Sequence, residues 1–202
     1  MKLFFAPGAC SLSPHIVARE AGLAFEPVKV DLRKKETADG RDFRTINPKG
    51  YVPALELAPG QVLTEGPAIV QYLADQAPEA GLAPAAGSFA RYQLMSMLTF
   101  VGTEIHKQFS PLFNPATPEA TRTMALERLS GRYALVNQEL EAGPYLTGQT
   151  FSVADAYLFA VSRWMPMFKL DRSQWPALAA WFDRVASRPA VKQALETEGI
   201  TA

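Results

Sequence analysis

The stretch Tyr51-Val52-Pro53-Ala54-Leu55, followed at a short distance by Leu63-Thr64-Glu65-Gly66-Pro67-Ala68-Ile69-Val70-Gln71-Tyr72-Leu73, decides the architecture of this chain. A proline at the entry of an apolar strand cannot donate to a sheet ladder, so the backbone of its neighbour Val52 is left free to pair with an extended ligand. A cis Val52-Pro53 bond suits that arrangement. Ala54 to Leu57 and Val62-Leu63 flank Ala58-Pro59-Gly60-Gln61, which predicts a hairpin. Thr64 reads as the N-cap of a helix running from Glu65 to about Asp75. The first-turn amides of that helix can hold an anion, while the Glu65 carboxylate can accept from an ammonium. An α-amino acid head group satisfies both.

Working outward, Leu3 to Phe5 reads as a buried strand, Pro14 to Ala21 as a helix closed by Gly22, and the alternating Val28, Val30 and Leu32 as a second strand. The basic loop Arg33-Lys34-Lys35 and a turn at Asn47-Pro48-Lys49-Gly50 lead back to the hairpin. The order βαβ, loop, ββα predicts a small mixed sheet with helices packed on it. From Ala77 to Gly87 alanine, proline and glycine dominate, which marks a linker. Beyond it every periodic segment reads as helix: Ser88 to about Gln108, Pro118 to Ala142 with Thr117 as N-cap, Val153 to Trp164, Pro176 to Ser187, and a last helix ending near Gly199. Leu126, Leu129, Tyr133, Val136 and Leu140 recur at helical spacing and read as a core stripe. The expected organisation is an α/β domain over 1–77, a linker over 78–87 and an all-α domain over 88–202.

The chain has 202 residues, enough to bury roughly 70% of its unfolded surface without the help of disulfides or metals. Twenty basic residues balance twenty acidic ones, so there is no net field to gather nucleic acid. Met1-Lys2 runs straight into Leu3-Phe4-Phe5 and Pro7-Gly8, too short a run for a secretory leader, and no apolar run approaches a membrane span. The expectation is a cytoplasmic protein with neither membrane nor nucleic-acid partner. A single cysteine excludes an intrachain disulfide, so sulfur chemistry must involve an external thiol or a second chain.

That residue, Cys10, lies between the first strand and the first helix, where a helix N-terminus favours the thiolate. No second cysteine follows three residues on, so any redox cycle passes through a mixed disulfide with an external thiol. His106 sits on the first long helix of the second half, where regular helical steps put Thr99, Thr103 and His106 on one polar stripe. An imidazole there can donate a hydrogen bond to a thiolate lying over it. His15, one turn into the first helix, reads as a structural or surface residue. With two histidines and one cysteine there is no metal-ligand cluster of recognised spacing. Ser152 and Asp155 form a helix start in which Asp155 reaches back to the cap amide.

Along essentially its whole length the chain resembles the bacterial beta class of cytosolic glutathione transferases. The resemblance runs through Pro7-Gly8-Ala9-Cys10-Ser11, Asn47-Pro48-Lys49-Gly50, Val52-Pro53-Ala54-Leu55 and Leu63-Thr64-Glu65-Gly66. In the second half it continues through Glu104-Ile105-His106-Lys107 and Phe151-Ser152-Val153-Ala154-Asp155-Ala156-Tyr157-Leu158-Phe159. Cys10 together with His106 points to the beta class. The resemblance implies a thioredoxin-like α/β N-terminal domain, an all-α C-terminal domain, and a homodimer with glutathione sites near the subunit interface. By the same likeness Val52 pairs through its backbone with the cysteinyl part of glutathione, Glu65 and Gly66 hold the γ-glutamyl head, and Lys35 meets a terminal carboxylate. Cys10 would lie beside the glutathione sulfur with His106 hydrogen-bonding near it. Thr99, Thr103, Glu104 and Ile105 would contact the ligand, some of them across the dimer. The chain departs from the class at Phe5, where relatives often carry tyrosine, and at Thr99, where asparagine is expected.

The activity this implies is conjugation of the glutathione thiolate to an apolar electrophile, with glutathione as co-substrate and no metal. Phe109, Leu112, Phe113, Trp164, Met165, Met167 and Phe168 are candidates for the electrophile's side of the site. Two other readings compete. One is thiol transfer or reductive dehalogenation through a Cys10 mixed disulfide, and the other is a non-catalytic binding protein on the same fold.

Overall fold

The computed structural model describes residues 1–201. Strand β1 (Lys2–Phe5), helix α1 (Leu12–Glu20) and strand β2 (Glu26–Asp31) make the opening βαβ unit, with β1 parallel to β2 and Leu3 in register with Pro27. A two-residue strand β3 (Glu36–Thr37) borders β2. Strands β4 (Ala54–Ala58) and β5 (Gln61–Thr64) form the expected hairpin around Pro59-Gly60, and β4 lies antiparallel to β1. The sheet is mixed, in the order β3-β2-β1-β4-β5.

Side-chain alternation assigns the two faces of this sheet. Leu3 and its cross-strand partner Leu55 face α1 and helix α2 (Gly66–Asp75), where they meet Leu12, Ile16, Ile69 and Leu73. Phe4, Val28, Val30 and Ala54 point the other way and close a smaller core with Phe43 and Val52. The Phe4 and Phe43 rings are 5.6 Å apart there. Val52, two residues before β4, belongs to this smaller core.

The second half is helical: α3 (Phe89–Phe100), the short α4 (Ser110–Phe113), α5 (Glu119–Glu141), α6 (Val153–Ser162), α7 (Pro176–Ala186) and α8 (Pro189–Glu198). Ser88 caps α3, and the Arg91 guanidinium ties it back to Asp75 and, at 2.7 Å, to the Pro84 carbonyl. The single helix expected from Ser88 to Gln108 changes pitch along its length. Beyond α3 it passes through a π-turn at Val101–Ile105 and a 3-10 turn at His106–Phe109. The expected Thr117 cap is absent, because Pro118 is still extended and takes the cap position of α5 without a side-chain bond. The core stripe of α5 is Ala125, Leu129, Tyr133, Val136 and Leu140, with Leu126 half-buried beside it.

Helix α6 is buried at every position and α1 packs against it and against α8, so the sheet unit and the helices share one continuous core. Asp155 serves as the sequence predicts and does more. Its carboxylate accepts from the Ser152 N–H (2.9 Å), the Ser152 hydroxyl (2.8 Å), the Leu146 N–H (3.0 Å) and the Trp181 indole (2.8 Å). No helix among the described residues is long and apolar enough to cross a membrane, and none of their acidic, histidine or cysteine groups clusters as a metal site.

Candidate functional site

A cavity of about 440 Å³ opens between the β4–β5 edge and the π-turn segment. From the sheet side it is lined by Cys10, Val52, Glu65 and Gly66, and from the helical side by His106 and Tyr157. The Val52-Pro53 bond is cis. Asn47 shapes the approach to it, donating to the Tyr51 carbonyl at 2.7 Å and accepting the Lys49 N–H at 3.2 Å. Among the described residues the Val52 N–H has no partner, so its ladder edge is free for a ligand backbone.

The head of α2 differs from the sequence expectation in one respect. Thr64 ends β5, and it is Glu65 that takes the cap position, with φ at 71° and no side-chain cap bond. A non-glycine residue held in the left-handed region stores strain that surrounding structure must maintain, a common mark of a functional position. That backbone frees the Glu65 carboxylate from capping and aims it outward. The Lys49 ammonium sits on it at 2.6 Å and reaches the Thr64 hydroxyl at 3.2 Å. The chain's own ammonium thus occupies a place where a ligand's ammonium can bind.

Cys10 corrects a second expectation. It shows part of its surface to the cavity, yet burial pushes its thiol up to about 12, and the Glu65 carboxylate adds to this. Its own N–H and that of Ser11 pull the other way without prevailing. The helix N-terminus does not make this sulfur a thiolate, because loss of solvent outweighs two backbone dipoles. It remains a neutral thiol that donates to the Val52 carbonyl at 3.5 Å. The loop carrying it is held firmly: the Ser11 hydroxyl accepts the Ala6 N–H at 3.1 Å, and Gly8 is gripped on both sides of its backbone. Its N–H donates to Glu198 at 3.1 Å and its carbonyl accepts from the Trp164 indole at 2.8 Å.

The π-turn decides where His106 points. A π-turn inserts one residue relative to an α-helix and rotates everything after it. Thr99 and Thr103 stay on the exposed face with their hydroxyls bonded to the carbonyls of Met95 (2.8 Å) and Thr99 (3.0 Å), while His106 swings off that stripe into the cavity. There its Nδ1 lies 2.6 Å from the Tyr157 hydroxyl, and the Trp164 ring flanks it at 5.2 Å. Burial, with the adjacent Lys107 cation, drives the imidazole down to about 4, so it is neutral near pH 7. Burial raises the Tyr157 phenol above its ordinary range, and the charge of the Glu65 carboxylate pushes the same way.

Several expected ligand residues lie elsewhere in this chain. Ile105 is fully buried in the core and presents no side chain to the cavity. The Glu104 carboxylate is taken by Arg132 at 2.7 Å. Lys35 does not line the cavity; its Nζ donates to the Gly50 carbonyl at 2.9 Å and rests over the Tyr51 ring. The cations that do line it are Lys49 and Lys107, which sequence reasoning did not single out. Tyr157 was missed as well, since its hydroxyl is one polar atom in an apolar helix. Phe5 lies in the core against His15, with ring centroids 5.8 Å apart.

Known proteins resemble this chain over its whole length. Residues 1–75 match the glutathione S-transferase N-terminal domain and residues 100–189 the C-terminal domain. The chain is 46% identical over 200 residues to glutathione S-transferase GstA of Escherichia coli O157:H7, covering 99% of this chain and 100% of that protein. The sphingomonad glutathione S-transferase complexed with glutathione superposes with a TM-score of 0.96 at 50% identity, covering both chains completely. The beta-class enzyme of Sphingomonas chungbukensis does so at 0.95 and 47% identity, again over 100% of each chain. With a thioredoxin-like sheet unit, a helical second half and full-length likeness on both counts, this chain belongs to the glutathione S-transferase family, in its bacterial beta class.

Proposed function

We propose that the cavity binds reduced glutathione and presents its thiolate to an apolar electrophile. The observation that carries this reading is the convergence, in one cavity, of a free Val52 backbone edge beside a cis proline, an outward Glu65 carboxylate already matched to an ammonium, and a neutral imidazole. The γ-glutamyl ammonium displaces or joins Lys49 on Glu65, its carboxylate meets the first amides of α2, and the cysteinyl backbone pairs with Val52. That pairing lays the ligand sulfur toward Cys10 and His106. Lowering a thiol pKa by about two units takes roughly 2.7 kcal/mol and converts a few per cent thiolate at neutral pH to mostly thiolate. A hydrogen bond from His106 and the field of Lys107 act in that direction. The pushed-up Cys10 thiol weighs against a mixed-disulfide cycle, whose attacking species is a thiolate.

The electrophile's side continues from His106 into an aromatic cluster. Trp164 meets Phe113 at 5.1 Å, Phe113 meets Phe168 at 5.0 Å, and Phe113 stays 46% exposed. Phe109, Leu112 and Met165 from the sequence candidates are buried supports of that cluster. On the outer face of α3, Phe89, Tyr92 and Met95 are exposed at steps of three residues, and a second copy of the chain covers them in a homodimer. Thr99 lies one turn further along the same face.

The test is calorimetric titration of the purified protein with reduced glutathione. Saturable binding near one site per chain is expected, weakened at least about tenfold by Glu65→Gln, the equivalent of 1.4 kcal/mol. No saturable binding by folded protein would overturn the reading. A Tyr92→Glu variant that elutes with the wild-type mass in light scattering would remove the α3 dimer.

A further inference from the structure

We propose that Tyr157 is a positioning residue that fixes the tautomer of His106, so that Nδ1 is bare and the Nε2–H is the donor offered to a sulfur in the cavity. The inference rests on the glutathione reading above for the identity of that sulfur, but not for the tautomer itself.

The argument is one of satisfying polar atoms. Tyr157 comes from the middle of α6, is 4% exposed, and its hydroxyl has one hydrogen-bonding neighbour among the described residues, Nδ1 of His106 at 2.6 Å. If Nδ1 carried the proton, the phenol would have to accept, and its own O–H, on a side chain that is almost fully buried, would be left with no protein acceptor among the described residues. If the phenol donates, both groups are satisfied and the ring proton falls to Nε2. That nitrogen has no protein partner among the described residues, on a side chain that lines the cavity. The Trp164 ring at 5.2 Å restricts rotation of the imidazole, and Trp164 is itself pinned by its bond to the Gly8 carbonyl. The charged and titratable groups around the pair do not supply a competing proton. Lys107 disfavours a second one on the ring, while burial and the Glu65 carboxylate across the cavity hold the phenol in its neutral form.

The chain contains an internal comparison. His15, the other histidine, has Nδ1 at 3.0 Å from the Glu198 carboxylate and receives the Arg19 Nε–H on Nε2 at 3.1 Å. A carboxylate only accepts and a guanidinium only donates, so His15 is protonated on Nδ1. The two histidines therefore carry opposite tautomers.

Long-range proton–nitrogen correlation spectra of 15N-labelled protein near pH 7, without glutathione, read both rings at once. The expected result is a bare Nδ1 and protonated Nε2 for His106, and the reverse for His15. In Tyr157→Phe, the His106 nitrogens shift toward an average of the two tautomers while His15 is unmoved. With glutathione bound, the ultraviolet thiolate midpoint of that variant rises by about half to one pH unit, which from a midpoint of about 6.5 is a loss of about 1.5- to threefold in thiolate at neutral pH. A protonated Nδ1 on His106 in the wild-type protein overturns the proposal without any variant, and so does a Tyr157→Phe protein whose His106 nitrogens and thiolate midpoint are both unchanged. Glutathione binding with a protonated Nδ1 would leave the glutathione reading standing and sink the tautomer. A bare Nδ1 in protein that binds no glutathione would do the opposite, and would remove the donor role toward sulfur.

Discussion

Replacing Glu198 with alanine should both loosen the molecule and disturb the loop that carries Cys10. The carboxylate is buried, and it takes two donors from distant parts of the chain: the Gly8 N–H at 3.1 Å and His15 Nδ1 at 3.0 Å. Its removal leaves both without a partner in a dry interior. Each buried orphan donor costs about 1–3 kcal/mol, and one-sided removal of a buried charged partner costs about 3–5 kcal/mol, so a loss of roughly 4 kcal/mol is expected. For a domain of this size that lowers Tm by about 10 °C. Glu198→Gln keeps one acceptor oxygen and should lose about half as much. The assay is urea unfolding followed by tryptophan fluorescence, with Glu196→Ala on the exposed side of the same helix as the control. Because Trp164 grips the carbonyl of the same glycine, Glu198→Gln and Trp164→Phe should be non-additive by at least about 0.5 kcal/mol in both stability and glutathione affinity. An alanine variant that unfolds within about 0.5 kcal/mol of the Glu196 control would refute the view that this carboxylate fastens the helices to the loop.

Asp155→Ala removes four hydrogen bonds at once, from Ser152 twice, Leu146 and Trp181. It should cost about 3 kcal/mol or more, while glutathione affinity of the folded fraction stays within about twofold, the size of a 0.4 kcal/mol change; lost affinity at unchanged stability would contradict its structural role. His106, held near 4 by burial against 6.5 unfolded, binds fewer protons when folded than when unfolded across that window. Stability is therefore fully present above pH 6.5 and falls toward pH 4, by about 3 kcal/mol. His106→Gln should lose less over the same range by urea titration, and identical profiles would remove this group as the cause. Cys10, pushed up to about 12, should react with iodoacetamide about tenfold faster for each pH unit from 7 to 10 without levelling off; a plateau near pH 8 would show that its thiolate is stabilised after all.

The sheet and hairpin were legible because alternation of Val28 with Val30 and the Pro59-Gly60 turn are local signals that burial on two faces reinforces. Val52, Glu65, Cys10 and His106 were legible as a set, and they share one cavity. The features that were not legible depend on contacts between distant residues. Tyr157 and His106 are 51 positions apart, and nothing near Tyr157 marks one hydroxyl as needing a partner. Thr64 looks like a cap, but the left-handed Glu65 moves the helix start by one residue. Cys10 sits where a helix dipole favours a thiolate, and the burial that reverses this comes from packing. Glu198 is an ordinary acid at the end of a polar helix until its two partners, near the other end of the chain, are in place.

The π-turn at Val101–Ile105 has a genetic meaning as well as a geometric one. It is in effect a single-codon insertion that the fold has absorbed, since Val101 and Ile105 at its two ends stay buried. Excising one codon within it would let the helix run on as an ordinary α-helix and turn His106 by roughly 100° about the axis, away from Tyr157 and the cavity. Such a deletion would face the imidazole the wrong way, and the same rotation would turn the buried Phe109 that follows it. Among related chains, gaps of one residue in this turn would therefore divide those that keep a histidine donor from those that must find another.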